Sequence, residues 1–242
     1  MIFSFFFKKE SKTKLLNIDL HSHLIPMIDD GSESMEESLS LLREMVTLGY
    51  KKIITTPHIM SDTYIDTPDI INEGLEKLLE ASKNEGINIE IEAGAEYYLD
   101  DGFYDVLQKG DMMSINDKYL LVETSYIGKP LQFEEMIYEI GLAGYKVILA
   151  HPERYRYIKN PKKEYERFKE LGILFQVNIN SFGGYYGKSA KNLADFLNKN
   201  GMIDFLGSDV HHEKHVSTLK NVMDSKVYKS IFKQNNILND TL

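Results

Sequence analysis

The chain has 242 residues, of which 43% are hydrophobic, enough for one large α/β domain or two small ones with a substantial core. It contains no cysteine, which excludes disulfides, thiolate metal sites and cysteine nucleophiles. The formal net charge of −9 argues against a general nucleic-acid surface, because such surfaces depend on clustered Lys and Arg. We therefore expect a globular cytoplasmic protein with no nucleic-acid partner.

The first 14 residues, MIFSFFFKKESKTK, combine a brief aromatic cluster with several lysines. The apolar part is far shorter than a signal-peptide core or a membrane span. It predicts an N-terminal extension, residues 1–14, that docks onto the domain or a partner, with weak contact to a membrane surface as the alternative. No other segment approaches transmembrane length and no linker-like tract follows, so residues 15–242 are predicted to form a single domain.

Short apolar runs alternate with segments of helical spacing along the rest of the chain. The runs predict strands near residues 15–20, 52–56, 88–93, 119–123, 146–150, 174–178 and 203–206. Between the first two, Ser34 and Glu37 have capping-box spacing and Gly49 is a helix stop. Strands that alternate with helices indicate parallel βαβ units, and seven repeats favour a closed or nearly closed (β/α) barrel, with an open doubly wound sheet as the alternative. After Glu96 we expect a long loop with one short helix at the mouth of the site.

The first apolar run is followed by the motif DLHSHLIPMIDDG. His21 and His23 are two residues apart, so along a strand both imidazoles face the same side and can share one ion. An isolated HxH is a weak signal, but Asp29 and Asp30 add hard oxygen ligands and Gly31 permits a tight turn. This segment therefore predicts part of a metal site.

Other imidazoles and carboxylates also follow apolar runs, at the points where the predicted strands end. They are His58, Glu96, Glu123, His151, Asp209 and His211. The carboxyl ends of strands in a barrel meet at one face, so these side chains converge with the first motif. A mixed set of imidazoles and carboxylates suits zinc, manganese or ferrous iron, and more than four ligands imply more than one ion.

The structural alternative is that each such residue is simply hydrogen-bonded at a strand end, which is the commoner role for a lone His, Glu or Asp. The joint pattern outweighs it, because none of the seven histidines falls in a predicted helix body. The two remaining ones, His212 and His215, are interpreted as loop residues, with a role in substrate binding or proton transfer as the alternative.

These residues resemble the polymerase-and-histidinol-phosphatase (PHP) superfamily, from DLHSH through PHI, GAE, AHPERY and SDVHH in that order. The motifs GAEYY, HPERY and SDVHH look most like bacterial metal-dependent protein-tyrosine phosphatases of capsule and exopolysaccharide biosynthesis. The resemblance implies a distorted (β/α)7 barrel of TIM-like type and about three divalent ions, manganese foremost, with iron or zinc as alternatives. The implied sites are His21, His23, Glu96 and Asp209; Glu96, Glu123 and His151; and Asp30, His58 and His211.

The chemistry that this resemblance implies is hydrolysis of phosphotyrosine on a protein, with a bacterial tyrosine kinase that controls polysaccharide export as the expected partner. Divalent ions bind phosphate oxygens and deprotonate a water for in-line attack on phosphorus. Because phenolate has a pKa of about 10, a tyrosine leaving group has little need of a strong general acid. One alternative is a small-molecule phosphomonoesterase of histidinol-phosphatase type, and another is a metal-binding module without catalysis. The negative net charge of the chain argues against a nuclease.

Arg154 is the candidate catalytic residue, because a guanidinium matches phosphate oxygens in a bidentate fashion. Its structural alternative is a surface ion pair with an acid such as Glu153. Some relatives carry an Arg shortly after the last metal-binding His, but this chain reads HHEKHVSTLK there. Lys214 or Lys220 is the expected substitute.

Weaker features receive mainly structural interpretations. Asp19 could orient a ligand, but a structural role is favoured. Several tyrosines lie near predicted mouth loops, where they could pack a phosphotyrosine ring although loop packing is favoured: Tyr97, Tyr98, Tyr126, Tyr155, Tyr185 and Tyr186. The GGYYG segment lacks the spacing of a phosphate-binding loop.

Overall fold

Residues 16–242 are described by a computed structural model, so the predicted extension 1–14 lies outside the described residues. Within them the chain alternates between short parallel strands and helices. The strands are β1 (Ile18–Asp19), β2 (Lys52–Thr55), β3 (His58–Ile59), β4 (Glu90–Ala93), β5 (Glu96–Tyr98), β6 (Tyr119–Glu123), β7 (Lys146–Ala150), β8 (Leu174–Asn178) and β9 (Phe205–Gly207).

Two sheets together form one ring. Their strand orders are β1-β2-β4 and β3-β5-β6-β7-β8-β9. After short breaks, β2 and β4 are each followed by a further strand that was not predicted. The pairs β2/β3 and β4/β5 each occupy one position in the ring, which leaves seven strand positions. A parallel bridge between Ser22 and Val210 joins the end of β1 to the end of β9 and closes the ring. The structure is therefore a distorted seven-stranded (β/α) barrel, as predicted, and not the open doubly wound sheet.

The breaks have a local cause in the backbone. Pro57 has no N–H to donate to a neighbouring strand, so β2 cannot run without interruption into β3. The flanking groups still bond across the gap, because the Glu96 N–H donates to the Pro57 carbonyl at 3.0 Å and the Thr56 N–H donates to the Ser22 carbonyl at 2.7 Å. The breaks shift the strand ends without opening the barrel.

The helices are α1 (Met35–Leu48), α2 (Pro68–Asn84), α3 (Phe103–Lys109), α4 (Phe133–Leu142), α5 (Pro161–Glu170), α6 (Ile179–Phe182), α7 (Gly187–Lys199), α8 (Glu213–Met223) and α9 (Lys226–Gln234). The predicted caps of α1 are confirmed: Ser34 Oγ accepts from the Glu37 N–H, and Gly49 ends the helix in the left-handed region. The short helix predicted after Glu96 is α3. None of the helices among residues 16–242 has the length and apolar character needed to cross a bilayer.

Alternate residues of the strands face different cores. On β6, Leu120 and Val122 belong to the large cluster that packs against the helices, whereas Tyr119 and Leu121 belong to a small separate cluster. This small cluster, which we call the barrel floor, fills the inside of the ring and comprises Leu20, Ile54, Ile115, Tyr119, Leu121, Ile148, Ala150 and Phe205. Glu123 is the next residue of the same inward-facing series, so the polar site lies directly above the floor.

Candidate metal centre

The structure brings all nine predicted ligands to the carboxyl end of the barrel. Each is placed by a strand end or by the loop that follows it. His21, His23 and Asp30 follow β1, His58 begins β3, Glu96 begins β5, Glu123 ends β6, His151 follows β7, and Asp209 and His211 follow β9. All except Asp30 and His211 are buried. Parallel strands thus collect residues from six separate stretches of chain into one cluster.

One group of donors surrounds the ends of His21 and His23. The Nε2 atom of His21 lies 3.1 Å from Glu96 Oε2 and 3.5 Å from Asp209 Oδ1. The Nε2 atom of His23 lies 3.5 Å and 3.6 Å from the same two oxygens. These are the four residues of the first implied site.

A second group is centred on Glu96 and Glu123. His151 Nε2 lies 3.0 Å from Glu96 Oε1 and 3.7 Å from Glu123 Oε2. His58 joins this group as well, because its Nδ1 atom is 3.2 Å from an oxygen of each carboxylate. The sequence resemblance assigned His58 to the third site alone, whereas its two ring nitrogens face two different groups.

The third group lies nearest to solvent. Asp30 Oδ1 is 3.4 Å from His58 Nε2 and 3.5 Å from His211 Nε2, and the Asp30 side chain is 56% exposed. His23 also has a ring nitrogen within 4.8 Å of these donors. A ligand arriving from solvent therefore meets this group first.

The donor set fits divalent cations. With metal–ligand bonds of about 2.1 Å, neighbouring ligand atoms stand about 3.0 Å apart in octahedral and about 3.4 Å apart in tetrahedral coordination. The donor separations of 3.0 to 3.7 Å match these values. His21 and His23 also direct their Nε2 atoms at each other across 3.3 Å, and the buried Nδ1 of His58 makes no hydrogen bond. A cation in each of the two groups would account for these features.

Two polar residues that were not predicted, Gln176 and Asn178, orient the predicted ligands from behind, together with Asp29, which was predicted to add an oxygen ligand. Asp29 Oδ2 lies 2.7 Å from His23 Nδ1, and Gln176 Oε1 lies 2.8 Å from His21 Nδ1. Asn178 donates from Nδ2 to Asp209 Oδ2 at 2.6 Å. Such partners fix the tautomer and ring orientation of ligating histidines. The available signal was the pair of polar residues, two apart, on the buried strand LFQVN.

Gly31 lies in a bend of the chain, where it is needed for its small size and not for a left-handed backbone. Its φ angle is not in the left-handed region. A Cβ at this position would instead lie 2.3 Å from the His23 carbonyl oxygen, so only glycine lets the loop pass so close to the ligand.

Two ligands carry backbone strain. His151 has φ 34° and Asp209 has φ 52°, in the left-handed region that most residues avoid. Strain of this kind costs about 1–3 kcal/mol for each residue and tends to gather at functional sites. The barrel therefore holds these two side chains in place at the expense of stability.

Arg154 lies over the cluster but does not pair with Glu153, so that predicted alternative is wrong. Its Nη1 donates to Asp209 Oδ2 at 2.8 Å. The guanidinium is stacked between the rings of Tyr126 and Tyr186, at 4.5 and 4.3 Å from their centroids. Glu153 instead points inward, and burial raises its pKa to about 7 despite hydrogen bonds from Ser181 and the Asn178 N–H.

Burial and charge act in opposite directions on the ionisable groups of the cluster. Burial disfavours the imidazolium of His23, but the carboxylates around it, foremost Asp29, outweigh this and raise its pKa to about 10. Burial likewise opposes ionisation of Asp209, but His21, His211 and Arg154 hold the pKa of this carboxyl well below its ordinary value. The Asp209 carboxylate is thus ionised and ready to bind a cation.

A cavity of about 240 Å³ opens onto this cluster. Among residues 16–242 its lining comprises Asp30, His58, Tyr126, His151, Arg154, Tyr186, Asp209, His211, His212 and His215. Neither Lys214 nor Lys220 lines it, so the structure does not bring the expected second phosphate contact to this cavity. Lys214 instead lies over the ring of Tyr185, with Nζ 5.7 Å from the centroid.

His215 corrects another prediction, because it is not a loop residue. It lies in α8, is buried, and its Nδ1 accepts a hydrogen bond from the His211 N–H at 3.1 Å. Burial lowers its pKa to about 3, so its ring is neutral. It fixes the backbone of a ligand and contributes a wall to the cavity, while His212 precedes the helix as its N-cap.

Comparison with known proteins agrees with this geometry. The model of the family described as "Capsular polysaccharide synthesis, CpsB/CapC" matches residues 17–236. The chain belongs to the CpsB/CapC family. One relative in this family, tyrosine-protein phosphatase YwqE of Bacillus subtilis (strain 168), is 33% identical over 199 residues, which cover 81% of this chain and 78% of YwqE.

Further relatives extend the likeness. Tyrosine-protein phosphatase CpsB of Streptococcus pneumoniae is 29% identical over 202 residues, covering 81% of this chain and 83% of CpsB. A crystal structure from work on YwqE and CpsB, described as unique metal-dependent tyrosine phosphatases, superposes with a TM-score of 0.78 and 28% identity, covering 91% of this chain and 96% of its own. Histidinol phosphate phosphatase from Lactococcus lactis shares the fold, with a TM-score of 0.54 and 16% identity over 87% and 93% of the two chains.

The tyrosines divide into two kinds. Tyr126 and Tyr186 belong to the site. Tyr97 and Tyr155 are core residues: the Tyr97 hydroxyl accepts from the Met113 N–H, and the Tyr155 hydroxyl donates to the Ala150 carbonyl. Asp19 is structural, as predicted, because its two oxygens accept from the N–H and hydroxyl of Ser208.

Proposed function

We propose that this protein is a metal-dependent phosphatase that removes phosphate from tyrosine side chains of a protein substrate. The convergence of nine imidazole and carboxylate residues at one mouth, with Arg154 on its wall, is the observation that carries the proposal. Its membership of a family with relatives named tyrosine-protein phosphatases supports the choice of substrate.

The metal-binding residues are those predicted: His21, His23, Asp30, His58, Glu96, Glu123, His151, Asp209 and His211. Bound divalent ions neutralise phosphate charge and activate a water for attack on phosphorus. The mixed set of imidazole and carboxylate donors suits manganese, with iron or zinc as alternatives, and its three overlapping groups support about three ions.

Arg154 is the residue that binds the phosphate. Its Nη1 is held by Asp209, while stacking between Tyr126 and Tyr186 fixes the plane of the guanidinium. The guanidinium is thus oriented before a substrate arrives, which lowers the entropic cost of binding. A phenolate leaving group, with a pKa of about 10, departs without a strong acid, and the neutral ring of His215 supplies none.

The substrate protein is expected to be a bacterial tyrosine kinase that controls capsular or exopolysaccharide synthesis, in keeping with the family description. The cytoplasmic location also stays a prediction. So does the division into an extension, 1–14, and a single domain, 15–242.

A panel of substrates tests the proposal. The protein is stripped with a chelator, reloaded with Mn²⁺, Fe²⁺ or Zn²⁺, and assayed on a phosphotyrosine peptide, a phosphoserine peptide and histidinol phosphate. Metal-dependent release of phosphate with the phosphotyrosine peptide as best substrate is expected. Preference for histidinol phosphate would replace the proposal with a small-molecule phosphomonoesterase, and inactivity on all three with a non-catalytic module. Replacement of His21 by Ala should abolish the activity in folded protein.

A further inference from the structure

A second cavity lies next to the metal cavity at the barrel mouth. It has a volume of about 340 Å³ and shares Tyr126, Arg154 and Tyr186 with the first cavity. Beyond them its lining consists of Ile127, Arg156, Ser189 and Ala190. We call this second cavity the side groove. The stacked trio of Arg154 and two tyrosines thus separates the metal cluster from the side groove and forms a wall of both.

The metal cavity is too small for more than the reacting part of a polypeptide substrate. At about 240 Å³ it lies below the ~300–1,000 Å³ typical of pockets that bury a whole small ligand. Residues that flank the phosphotyrosine must therefore lie outside it. The side groove is one surface that such residues reach, because it lies next to the metal cavity across the shared wall of Tyr126, Arg154 and Tyr186.

Arg156 distinguishes the side groove from the rest of the mouth. The chain has four arginines, and three have an acidic partner: Arg43 with Glu85, Arg154 with Asp209 and Arg167 with Glu134. Arg156 is exposed, and no carboxylate of residues 16–242 lies within ion-pair distance of it. Its backbone N–H donates to the Tyr126 carbonyl at 2.7 Å, which anchors the residue to the wall of the site.

The charges on the other side of the mouth are opposite. The half-exposed Asp30 stands at the rim, and a cavity beyond β3 and β5 is lined by Asp66, Asp69, Asp100 and Asp111, with Lys109 as its one lysine among the described residues. An anionic flanking group is repelled there and attracted to Arg156, in a protein whose formal net charge is −9. The surface on one side of the mouth is therefore negatively charged and the surface on the other side, at Arg156, is positively charged, so a bound polypeptide meets different charges on its two sides.

We propose that Arg156 is a specificity-determining residue that binds an anionic side chain, a carboxylate or a second phosphate, next to the phosphotyrosine in the substrate. Ile127, which is 79% exposed, supplies an apolar edge of the same groove against which the flanking backbone packs. This inference rests on the proposed phosphatase function.

A charge reversal tests the inference. Two sets of phosphotyrosine peptides carry Glu, Gln or Lys at the neighbouring position, one set before and one set after the phosphotyrosine. The wild-type protein should show a kcat/KM about fivefold higher for the Glu than for the Gln peptide in one set, as expected for a partly exposed ion pair, and the preference should fall with added salt. A further peptide with a second phosphotyrosine in place of Glu distinguishes phosphate from carboxylate as the preferred anion.

Arg156→Glu should reverse the order, so that the Lys peptide becomes the better substrate, and Arg156→Gln should make the Glu and Gln peptides equal. Lys229→Glu is the matched control, since it makes the same charge change at an exposed position on α9 outside the groove, and should retain the wild-type order. Reversal by Arg156→Glu itself shows that the variant is folded, and Arg156→Gln gives an independent measurement if the Glu variant unfolds.

Equal kcat/KM values for the Glu, Gln and Lys peptides in both sets with the wild-type protein, or an unchanged order in both Arg156 variants, would overturn the inference. If the wild-type protein hydrolyses p-nitrophenyl phosphate and hydrolyses all the peptides equally well, the proposed function stands and only the role of Arg156 is refuted. A wild-type protein that hydrolyses none of them refutes the proposed function itself.

Discussion

The inside of this barrel has two halves with opposite chemistry on the same strands. Below, the barrel floor is apolar and buried, as in Leu121 and Phe205. Above, Glu123 ends β6 two residues beyond Leu121, and Asp209 follows β9 four residues beyond Phe205. Burial of apolar surface in the floor stabilises the folded protein. The buried charges and the left-handed backbone of the cluster destabilise it. Stability and chemistry are thus divided between residues two to four positions apart.

The largest effect should follow from Glu96→Gln, because Glu96 has oxygens facing both His21 and His151. We expect kcat/KM to fall at least about 1,000-fold, the upper range for loss of one electrostatic element, with loss of bound metal. Metal analysis and phosphate release measure this, while the thermal midpoint in the presence of a chelator should change little.

Glu153→Gln is the matched control for that variant. Glu153 is equally buried, but its Oε1 accepts from Asn178 and Ser181, and an amide oxygen can do the same. Its metal content should be that of the wild type. Equal loss of metal in both variants would show that metal content depends on any buried carboxylate near the mouth, and not specifically on the carboxylates that face the histidines.

Phe205→Ala tests the floor. The side chain is fully buried and lies edge-on to Tyr119, with 5.6 Å between the ring centroids. We expect the free energy of unfolding to fall by about 3–5 kcal/mol, as is typical for a large core truncation. Urea denaturation measures it, and Leu142→Ala, at a position 64% exposed, should change little. A folded fraction that has lost its metal would show that the floor also shapes the site.

Arg154→Lys should lower kcat/KM about 100-fold while the metal content stays the same. A lysine cannot form bidentate hydrogen bonds to phosphate and cannot stack on the rings of Tyr126 and Tyr186 as a guanidinium does. Arg167→Lys, in an exposed ion pair, is the control and should have almost no effect. Loss of metal from the Arg154 variant would mean that the guanidinium acts by holding Asp209 and not by binding phosphate.

The smallest change expected is in the pH dependence of metal affinity. The raised pKa of His23, about 10, means that the metal-free protein holds a proton there at pH 6–9, and a metal ion must displace it. Affinity should therefore rise with pH, by about tenfold per unit for each proton displaced. Competition titrations with a chelator at pH 6, 7 and 8 measure this. A flat profile would contradict it, and Asp29→Asn should weaken the dependence by removing the foremost carboxylate that favours the proton.

The positions of the nine ligands could be predicted from the sequence because of one topological fact. In a parallel barrel the strand ends meet at a single face, so residues 20 to 60 positions apart in sequence become neighbours whenever each follows an apolar run. The same reasoning identified α1 from its caps and the seven strand positions from their alternation with helices. It did not predict β3 or β5, because each is only two or three residues long and begins after a break beyond the preceding apolar run.

Only the tertiary structure decided the partnerships around the site. Gln176 and Asn178 orient His21 and Asp209 from a different strand, and Arg154 bonds across to Asp209 and not to its chain neighbour Glu153. These contacts depend on the register between strands and on the direction of each side chain, which local sequence does not carry. The sequence alone determined which imidazoles and carboxylates gather at the mouth of the barrel, and the barrel geometry decided how each one is held.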